Sequence, residues 1–270
     1  MLEVDSMENP MDPGRSRAFA GRRVAITGAS GSLGLALLRA FHGCGASLVA
    51  LTTRVEPLEL GSSDGTPIAL EQVTWSCGHE ADLRELFSQV DILVINHGIN
   101  LHGDRSATGL ERSLEVNALS CLRLLELFAA APPSSPSAQP AKGPQPCREV
   151  WINTSEAEIL PAVSPLYEIS KRLVGQLVSL RALDLAGPEL RIRRLVLGPF
   201  RSSLNPIGLM GAAFVAQAVL RLAAWDWGLI IVTPNPLTYV LFPFVVLARW
   251  TYLGLFSRPS SSSEAPTPST

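Results

Sequence analysis

The sequence predicts an α/β fold in three layers, with helices on both faces of a doubly wound parallel sheet. Short apolar segments alternate with longer segments of helical periodicity along most of the chain, which is the pattern of repeated β-α-β units. Residues 91–95 read Asp-Ile-Leu-Val-Ile, a nearly continuous apolar run typical of a strand covered on both faces. A glycine-rich stretch follows the first apolar segment, where the first turn of such a sheet would lie.

The elements follow in the order that this fold requires. The predicted strands are 23–27, 47–51, 73–75, 91–95, 150–154, 190–197 and 229–233. The predicted helices are 33–42, 82–90, 110–130 and 167–185. Short strands separated by helices predict parallel pairing with crossover connections.

Composition divides the chain into regions. Residues 1–20 contain prolines and charges without an apolar core, so we expect a disordered N-terminus that is neither a signal peptide nor a membrane span. Residues 21–235 form the predicted catalytic domain, with a flexible Pro/Ser/Ala-rich insertion at 132–147. An apolar extension at 236–257 precedes a Ser/Pro-rich tail at 258–270, which is predicted to be disordered.

Charge and cysteine usage narrow the functional classes. A net charge of −2 offers no basic footprint for nucleic acid. The four cysteines have no paired spacing, which predicts reduced thiols in a cytoplasmic protein. The four histidines have no metal-site spacing, so we expect no metal.

Tyr167 and Lys171 are the most specific chemical signal. The chain has three tyrosines and two lysines, so a tyrosine followed four residues later by lysine has a chance of roughly one in fifty. On a helix this spacing places both side chains on one face. An ammonium beside a phenol favours the phenolate, which makes a general acid/base for a carbonyl or an alcohol. The alternative is an amphipathic helix with both residues on its surface.

A glycine-rich turn at 27–34 predicts a Rossmann-like dinucleotide site. It reads Thr-Gly-Ala-Ser-Gly-Ser-Leu-Gly between the first strand and the first helix. Glycines there let backbone N–H groups approach a pyrophosphate, and the helix N-terminus points at its charge. The candidate residues are Gly28, Ser30, Gly31, Ser32, Leu33 and Gly34.

Two further segments at strand ends extend this site. Arg54 follows the second strand where an acidic residue would repel a 2′-phosphate, so the sequence favours NADP(H) over NAD(H). A solvated loop arginine is the alternative. Asn96 and Gly98 follow the fourth strand at the edge where ligands bind in such sheets. His97 between them is predicted to be structural.

These features in this order resemble the short-chain dehydrogenase/reductase family over residues 22–220. The resemblance implies an adenine-side site at Asn96 and a nicotinamide-side site at Gly198 and Pro199. It also implies a catalytic set in which a serine binds the substrate oxygen, a tyrosine transfers the proton, a lysine holds the ribose and an asparagine orders a water. The matching residues are Asn117, Ser155, Tyr167 and Lys171, with Thr154 as the alternative to Ser155.

The chain also departs from that family pattern. Ser32 replaces the usual second glycine, which leaves the Gly-x-x-Gly-x-x-Gly spacing of extended members. Cys77 and Gly78 stand where an aspartate usually grips adenine, and residues 198–199 reverse the usual Pro-Gly. None of these changes removes a catalytic group.

A narrower resemblance concerns the segments Asn-His-Gly-Ile-Asn, Asn-Thr-Ser-Glu-Ala-Glu and Leu-Gly-Pro-Phe. They are similar to the dehydrogenase part of cyanobacterial sterol desaturase/short-chain dehydrogenase proteins. The four scattered histidines cannot supply the iron ligands of a desaturase.

The apolar stretch at 237–256 is nearly long enough to span a bilayer. Pro243 is expected to break it, and Arg249 would lie within it. We therefore favour an interfacial segment with Trp250 and Tyr252 at headgroup depth. A buried helix or an oligomer interface is the alternative.

The favoured function is an NADP-dependent oxidoreductase that acts on a lipophilic ketone, aldehyde or alcohol, with peripheral membrane contact. The family resemblance also implies a homo-oligomer. The alternatives are a non-catalytic dinucleotide-binding sensor or scaffold, and an epimerase- or dehydratase-like enzyme. The short C-terminal region argues against the last class, because its members usually carry a larger substrate domain.

Overall fold

Seven parallel strands form one sheet in the order β3-β2-β1-β4-β5-β6-β7. The computed structural model describes residues 13–62, 65–132, 147–202, 205 and 208–258. The strands are β1 Arg23–Thr27, β2 Ser47–Thr52, β3 Glu71–Thr74, β4 Ile92–Ile95, β5 Arg148–Asn153, β6 Leu190–Leu197 and β7 Leu229–Val232.

Helices connect successive strands and cover both faces of the sheet. They are α1 Pro13–Phe19, α2 Ser32–Gly43, α3 Arg84–Ser88, α4 Ala107–Leu114, α5 Ser120–Ala130, α6 Pro165–Leu185, α7 Ala212–Ala224 and α8 Pro236–Phe256. Short 3-10 turns at Glu80–Leu83 and Glu156–Glu158 complete the connections.

Apolar residues on the two faces of the strands separate the core into two halves. Val24 and Ile26 of β1 pack with α2 and α7 on one face. Ala25 of β1 and Leu93 of β4 pack with α3, α5 and α6 on the other. The central strands are buried on both faces, which explains why their sequences are apolar without alternation. The predicted three-layer α/β fold is confirmed.

At β1 the chain changes the side of the sheet on which it adds strands. The strands β2 and β3 extend from one side of β1, and β4 to β7 extend from the other. In such sheets this switch point opens a crevice at the carboxyl ends of the strands. The site described below lies there.

Several boundaries differ from the predictions, and α7 has no predicted counterpart. β3 begins at Glu71, two residues before the predicted start, because its pairing with β2 begins at Val49 opposite Glu71. The predicted helix 110–130 is α4 and α5 joined by a π-helical turn at Glu115–Leu119. Asn117, described below, is fully buried within that turn.

The N-terminal prediction also needs correction. Residues 1–20 were expected to be disordered, yet 13–19 form α1. Phe19 is buried, and its ring makes edge contacts with Phe41 at 5.3 Å and with Trp151 at 5.8 Å between centroids. Three aromatic rings that close one corner of the core account for this helix. Residues 1–12, 133–146 and 259–270 lie outside the described residues, and they hold most of the remaining predicted disorder.

The C-terminal helix α8 continues through Pro243, contrary to the predicted break. A proline inside a helix leaves the carbonyl four residues earlier without its N–H partner, so the interruption costs one hydrogen bond. Phe242, fully buried beside it, holds the segment against the domain. α8 has the length and composition to cross a membrane, and only 6% of its most apolar window is buried.

Packing of α2 over the glycine turn predicts a severe effect of Gly34→Ala. A β-carbon at Gly34 would lie 2.4 Å from the carbonyl oxygen of Gly28 and 2.8 Å from the α-carbon of Ala29. Backbone atoms cannot move aside, so we expect the free energy of unfolding in urea to fall by roughly 1–3 kcal/mol.

The matched control for this variant lies in the same helix. A β-carbon at Gly43 would meet nothing within 4 Å. Gly43→Ala should therefore raise the free energy of unfolding by up to about 1 kcal/mol. Equal stability of the two variants would contradict the close approach of α2 to the turn.

Candidate active site

A cleft of about 1350 Å³ lies at the carboxyl ends of the strands. It crosses the switch point between β1 and β4, so both halves of the sheet contribute to its walls. Most of the predicted site residues line it. They are Gly28, Ser30, Gly31, Ser32, Leu33, Asn96, Gly98, Ser155, Tyr167, Lys171, Gly198 and Pro199.

The glycine turn forms a floor that larger residues would fill. Gly28 has φ of +62°, and a β-carbon there would lie 2.9 Å from the α-carbon of His97. Gly31 is the N-cap of α2, and its first turn has no side-chain cap. The first backbone N–H groups of α2 therefore point into the cleft, where they suit a pyrophosphate. These residues fit the phosphates of a dinucleotide.

Hydroxyl groups fix the turn to the neighbouring strands. Thr52 at the end of β2 donates from Oγ1 to Ser30 Oγ at 3.0 Å. Thr27 Oγ1 accepts hydrogen bonds from the backbone N–H groups of Asn96 at 2.9 Å and His97 at 3.2 Å. The segment after β4 is thereby held against the turn after β1.

His97 is a neutral, structural side chain in this environment. Its Nδ1 lies 2.8 Å from Thr27 Oγ1, and its ring makes an edge contact with Trp75. Burial, with a smaller contribution from the charge of Lys171, lowers the pKa of His97 to about 4. The imidazole therefore lacks a proton at neutral pH and is held by Thr27 at the wall of the cleft.

Tyr167 and Lys171 lie on one face of α6, as the spacing predicts. Lys171 is 3% exposed, and its Nζ donates to the carbonyl oxygen of Asn153 at 2.8 Å. The same Nζ lies 5.6 Å from the centroid of the Tyr167 ring. Within the described part of the chain the Tyr167 hydroxyl has no hydrogen-bond partner, so it is available to a ligand in the cleft.

Ser155, rather than Thr154, presents its hydroxyl to the cleft. Thr154 is fully buried, and its Oγ1 is directed at the Leu195 carbonyl in the sheet. Ser155 has φ of +78°, a conformation that non-glycine residues rarely adopt. Its Oγ accepts a hydrogen bond from Ala157 N at 3.3 Å, which caps the following 3-10 turn. Such strain costs roughly 1–3 kcal/mol and is commonly found at functional sites.

Asn117 lies behind the cleft and does not line it. It is fully buried in the π-helical turn, a feature often found near functional sites. Its Oδ1 accepts from Ile99 N at 2.8 Å, and its Nδ2 donates to Ile99 O and to Ser170 Oγ, each at 2.9 Å. The side chain thus holds the loop after β4 against α6. Its predicted part in ordering a water stays a prediction.

Of the remaining predicted site residues, Gly34 and Arg54 do not line the cleft. Arg54 is exposed and does not line the cleft, so its contact with a 2′-phosphate stays a prediction. Cys77 lines the cleft at the position where the family pattern usually has an aspartate, and burial raises the pKa of its thiol. A β-carbon at Gly198 would lie 2.2 Å from Thr233 Oγ1, so this position requires glycine.

Sequence reasoning missed the groups that support these side chains. The carbonyl of Asn153 holds Lys171, and Ser170 holds Asn117. Glu156 lines the cleft next to Ser155 and accepts hydrogen bonds from two threonines. Glu156 and Glu158, two acidic residues shortly after β5, were the only sequence signal for these supporting groups. The contact with a backbone carbonyl leaves no signal in the sequence.

Comparison with known proteins now decides the family. Residues 24–184 match the NAD dependent epimerase/dehydratase family. A relative from Synechocystis sp., named monoglucosyldiacylglycerol epimerase, is 42% identical over 248 residues, which cover 92% of this chain and 58% of that protein. The chain belongs to the NAD dependent epimerase/dehydratase family. It spans little more than half of this relative's length.

Other similarities to this member of the family are weaker. An Anopheles gambiae protein named dehydrogenase/reductase SDR family protein 7-like is 28% identical over 133 residues, 44% of this chain and 42% of that protein. The narrower resemblance to sterol desaturase/short-chain dehydrogenase proteins stays a prediction.

Solved structures share the fold. A short chain dehydrogenase from Burkholderia cenocepacia in complex with NADP has a TM-score of 0.67 and 18% identity, covering 89% of this chain and 99% of that one. BdcA in complex with NADPH has a TM-score of 0.60 and 20% identity, covering 80% and 93%. Together with the family match, these identify a nicotinamide-dinucleotide-binding fold, without deciding between NAD(H) and NADP(H).

The lowered pKa of His97 predicts a pH-dependent stability. Above pH 6.5 the histidine is neutral whether the chain is folded or not. As the pH falls from 6.5 to about 4, only the unfolded chain gains this proton, so the folded state loses up to roughly 3 kcal/mol. His97→Asn keeps an acceptor for Thr27 and cannot titrate.

Urea unfolding of the wild type and His97→Asn at several pH values measures this difference. We expect the stability of the wild type to fall more steeply than that of the variant between pH 6.5 and 4. Parallel curves would contradict a neutral His97 in the folded protein. Carboxylates titrate in both proteins, so the difference between the curves isolates His97.

Proposed function

We propose that this protein is an NAD(P)-dependent enzyme that epimerises a secondary alcohol on a lipid-linked sugar. The observation that carries the proposal is the convergence of Ser155, Tyr167 and Lys171 beside a glycine turn open to phosphates. The similarity to the Synechocystis protein supports epimerisation and a glycolipid substrate.

Residues of the chain divide into a group for the cofactor and a group for the substrate. Gly28, Gly31 and the N-terminus of α2 would hold the pyrophosphate, and Lys171 would hold a ribose hydroxyl. A bound nicotinamide dinucleotide supplies the acceptor and donor of hydride. The remaining chemistry is movement of a proton at the substrate oxygen.

Tyr167 would exchange that proton. Its hydroxyl is free toward the cleft, and the Lys171 ammonium lies 5.6 Å from the centroid of its ring. Ser155, which lines the same cleft after β5, would donate a hydrogen bond to the same substrate oxygen. In epimerisation Tyr167 would take the proton of the alcohol as the same carbon loses hydride to the bound dinucleotide. It would return the proton to the oxygen as hydride comes back to the opposite face of the carbonyl.

The rim of the cleft supports a lipophilic substrate. Val163 and Leu209 line the cleft and are fully and 74% exposed. α8 begins beside Glu156, another lining residue, and presents a row of exposed apolar side chains. They are Leu237, Tyr239, Val240, Leu241, Phe244, Leu247, Trp250, Tyr252, Leu255 and Phe256. We propose that this surface rests on a lipid bilayer, with the cleft opening toward it.

Arg249 removes the main objection to that placement. It is the only charged residue of α8, and its side chain is 9% exposed. The guanidinium faces the domain and not the apolar surface. An amphipathic helix bound to protein on one side and to lipid on the other fits this distribution.

Net oxidation or reduction is the second candidate. The structural neighbours with NADP and NADPH, and the lack of a separate substrate domain among the described residues, favour it. Both candidates use the same residues and differ in the fate of the cofactor. An epimerase regenerates its cofactor in each turnover, whereas a dehydrogenase consumes it.

Cofactor accounting therefore tests the proposal. Vesicles containing monoglucosyldiacylglycerol are incubated with enzyme and substoichiometric NAD⁺ or NADP⁺, and lipids are separated by chromatography. We expect many epimerised lipids per cofactor without net formation of reduced nicotinamide. One reduced cofactor per product would favour the dehydrogenase instead. Cofactor binding without any product would favour the sensor.

Tyr167→Phe should lower the turnover number by at least about a thousandfold, because proton exchange is lost. Cofactor binding, followed by quenching of tryptophan fluorescence, should remain close to that of the wild type. Tyr252→Phe removes a hydroxyl from an exposed tyrosine on α8 and is the matched control. Retained turnover in Tyr167→Phe would contradict the proposed proton transfer.

Vesicle flotation tests the membrane surface. We expect Phe244→Glu/Leu247→Glu to lower the vesicle-bound fraction by about tenfold or more, because two charges enter the lipid-facing row. Val55→Glu alters an apolar side chain that is 78% exposed in the loop after β2 and outside α8. This variant should leave binding unchanged. Equal binding of all three proteins would exclude α8 as the lipid contact.

A further inference from the structure

Two glutamates in the 3-10 turn after Ser155 connect the cleft to α8. Glu158 Oε1 accepts from Arg249 Nη1 at 2.5 Å and from Arg194 Nη1 at 2.6 Å. Glu156 Oε2 accepts from Thr233 Oγ1 at 2.7 Å and from Thr238 Oγ1 at 3.0 Å. Both ends of the turn are therefore attached to the apolar helix or to the strand before it.

The Glu158 carboxylate sits inside the domain. Its side chain has no exposed surface, and the side chains of Arg194 and Arg249 are each 9% exposed. Burial lowers the pKa of Arg194, the charge of Glu158 raises it, and the charge of Arg249 lowers it. A buried carboxylate between two guanidinium groups resists displacement, because moving it leaves charges unpaired away from water.

α6 is shaped to admit this carboxylate. A β-carbon at Gly175 would lie 2.1 Å from Glu158 Cδ. Gly175 follows Lys171 by one helical turn, and Ser179 on the same face donates to the Gly175 carbonyl and accepts from Arg194. The helix that carries Tyr167 and Lys171, the turn that follows Ser155, and α8 thus meet at one buried charge.

The 3-10 turn Glu156–Glu158 determines where the Ser155 hydroxyl points. Ser155 Oγ caps the turn through Ala157 N, and the Ser155 carbonyl accepts from Glu158 N at 3.2 Å. The positive φ of Ser155 is an unfavourable conformation that persists only where surrounding contacts hold it. Glu158 supplies such a contact on the carboxyl side.

We infer that Arg249 is a positioning residue of the active site, which acts through Glu158 to hold the turn and the hydroxyl of Ser155. Resting on the proposed function, this makes the lipid-facing helix a part of the catalytic geometry as well as an anchor. A helix seated on the membrane and a cleft receiving lipid would then be aligned by one ion pair.

Arg249→Met tests the link, because methionine keeps the apolar stem and removes the guanidinium. We expect the turnover number to fall at least tenfold, with KM and cofactor binding within about twofold of the wild type. Arg249→Lys should recover part of the turnover. Arg181→Met removes an arginine near the C-terminal end of α6 that pairs with Glu126 of α5 and with Asp184 of α6. This variant should behave as the wild type.

Hydrogen exchange gives a readout that needs no substrate. In Arg249→Met the amides of residues 156–160 should lose protection by about tenfold, while those of β1 and β4 keep theirs. Thr238→Val, which removes the contact to Glu156, should show a smaller change at the same amides and serves if Arg249→Met does not fold.

The outcomes separate the two proposals. If the wild type has no epimerase activity but Arg249→Met loses protection at 156–160, the proposed function is wrong and the contact between Arg249 and the turn is supported. Unchanged protection and turnover, or a uniform loss of protection across the domain at a temperature well below unfolding, would overturn the positioning role of Arg249.

Discussion

The rest of the site depends on one buried hydrogen bond, from the Lys171 amine to the carbonyl of Asn153. A lysine that is 3% exposed needs oxygen partners, and this carbonyl lies at the end of β5, next to the segment that carries Ser155. The bond therefore fixes α6 relative to the sheet edge and places Tyr167 over the cleft. Lys171 also lines the cleft, where its ammonium can donate further hydrogen bonds to hydroxyl groups of a ligand.

A second buried charge extends that arrangement to the surface. Glu158 joins α6, β6 and α8, so the helix that carries Tyr167 and Lys171 and the apolar helix share one polar anchor. Arg249 is the only charged residue in this apolar helix, and together with Thr238 and the buried Phe242 it attaches the helix to the domain. Glu158 therefore connects the residues around the cleft to the apolar surface of α8.

Sequence reasoning could predict what depends on local pattern. The parallel sheet follows from apolar strands and crossover helices, and the glycine turn and the pair Tyr167 and Lys171 follow from spacing. What escaped prediction depends on distant contacts. Phe19 finds aromatic partners in α2 and β5, which orders α1. Pro243 stays within α8 because packing of Phe242 outweighs one lost hydrogen bond, and neither contact has a sequence signal.

A structure of the complex with NADP⁺ or NAD⁺ tests the central claim most directly. The account predicts that the pyrophosphate lies at Gly28 and Gly31 and that the nicotinamide ring lies against Tyr167, Ser155 and Lys171. A dinucleotide bound with its nicotinamide away from these three side chains, or a cleft closed by the protein's own side chains, would contradict it.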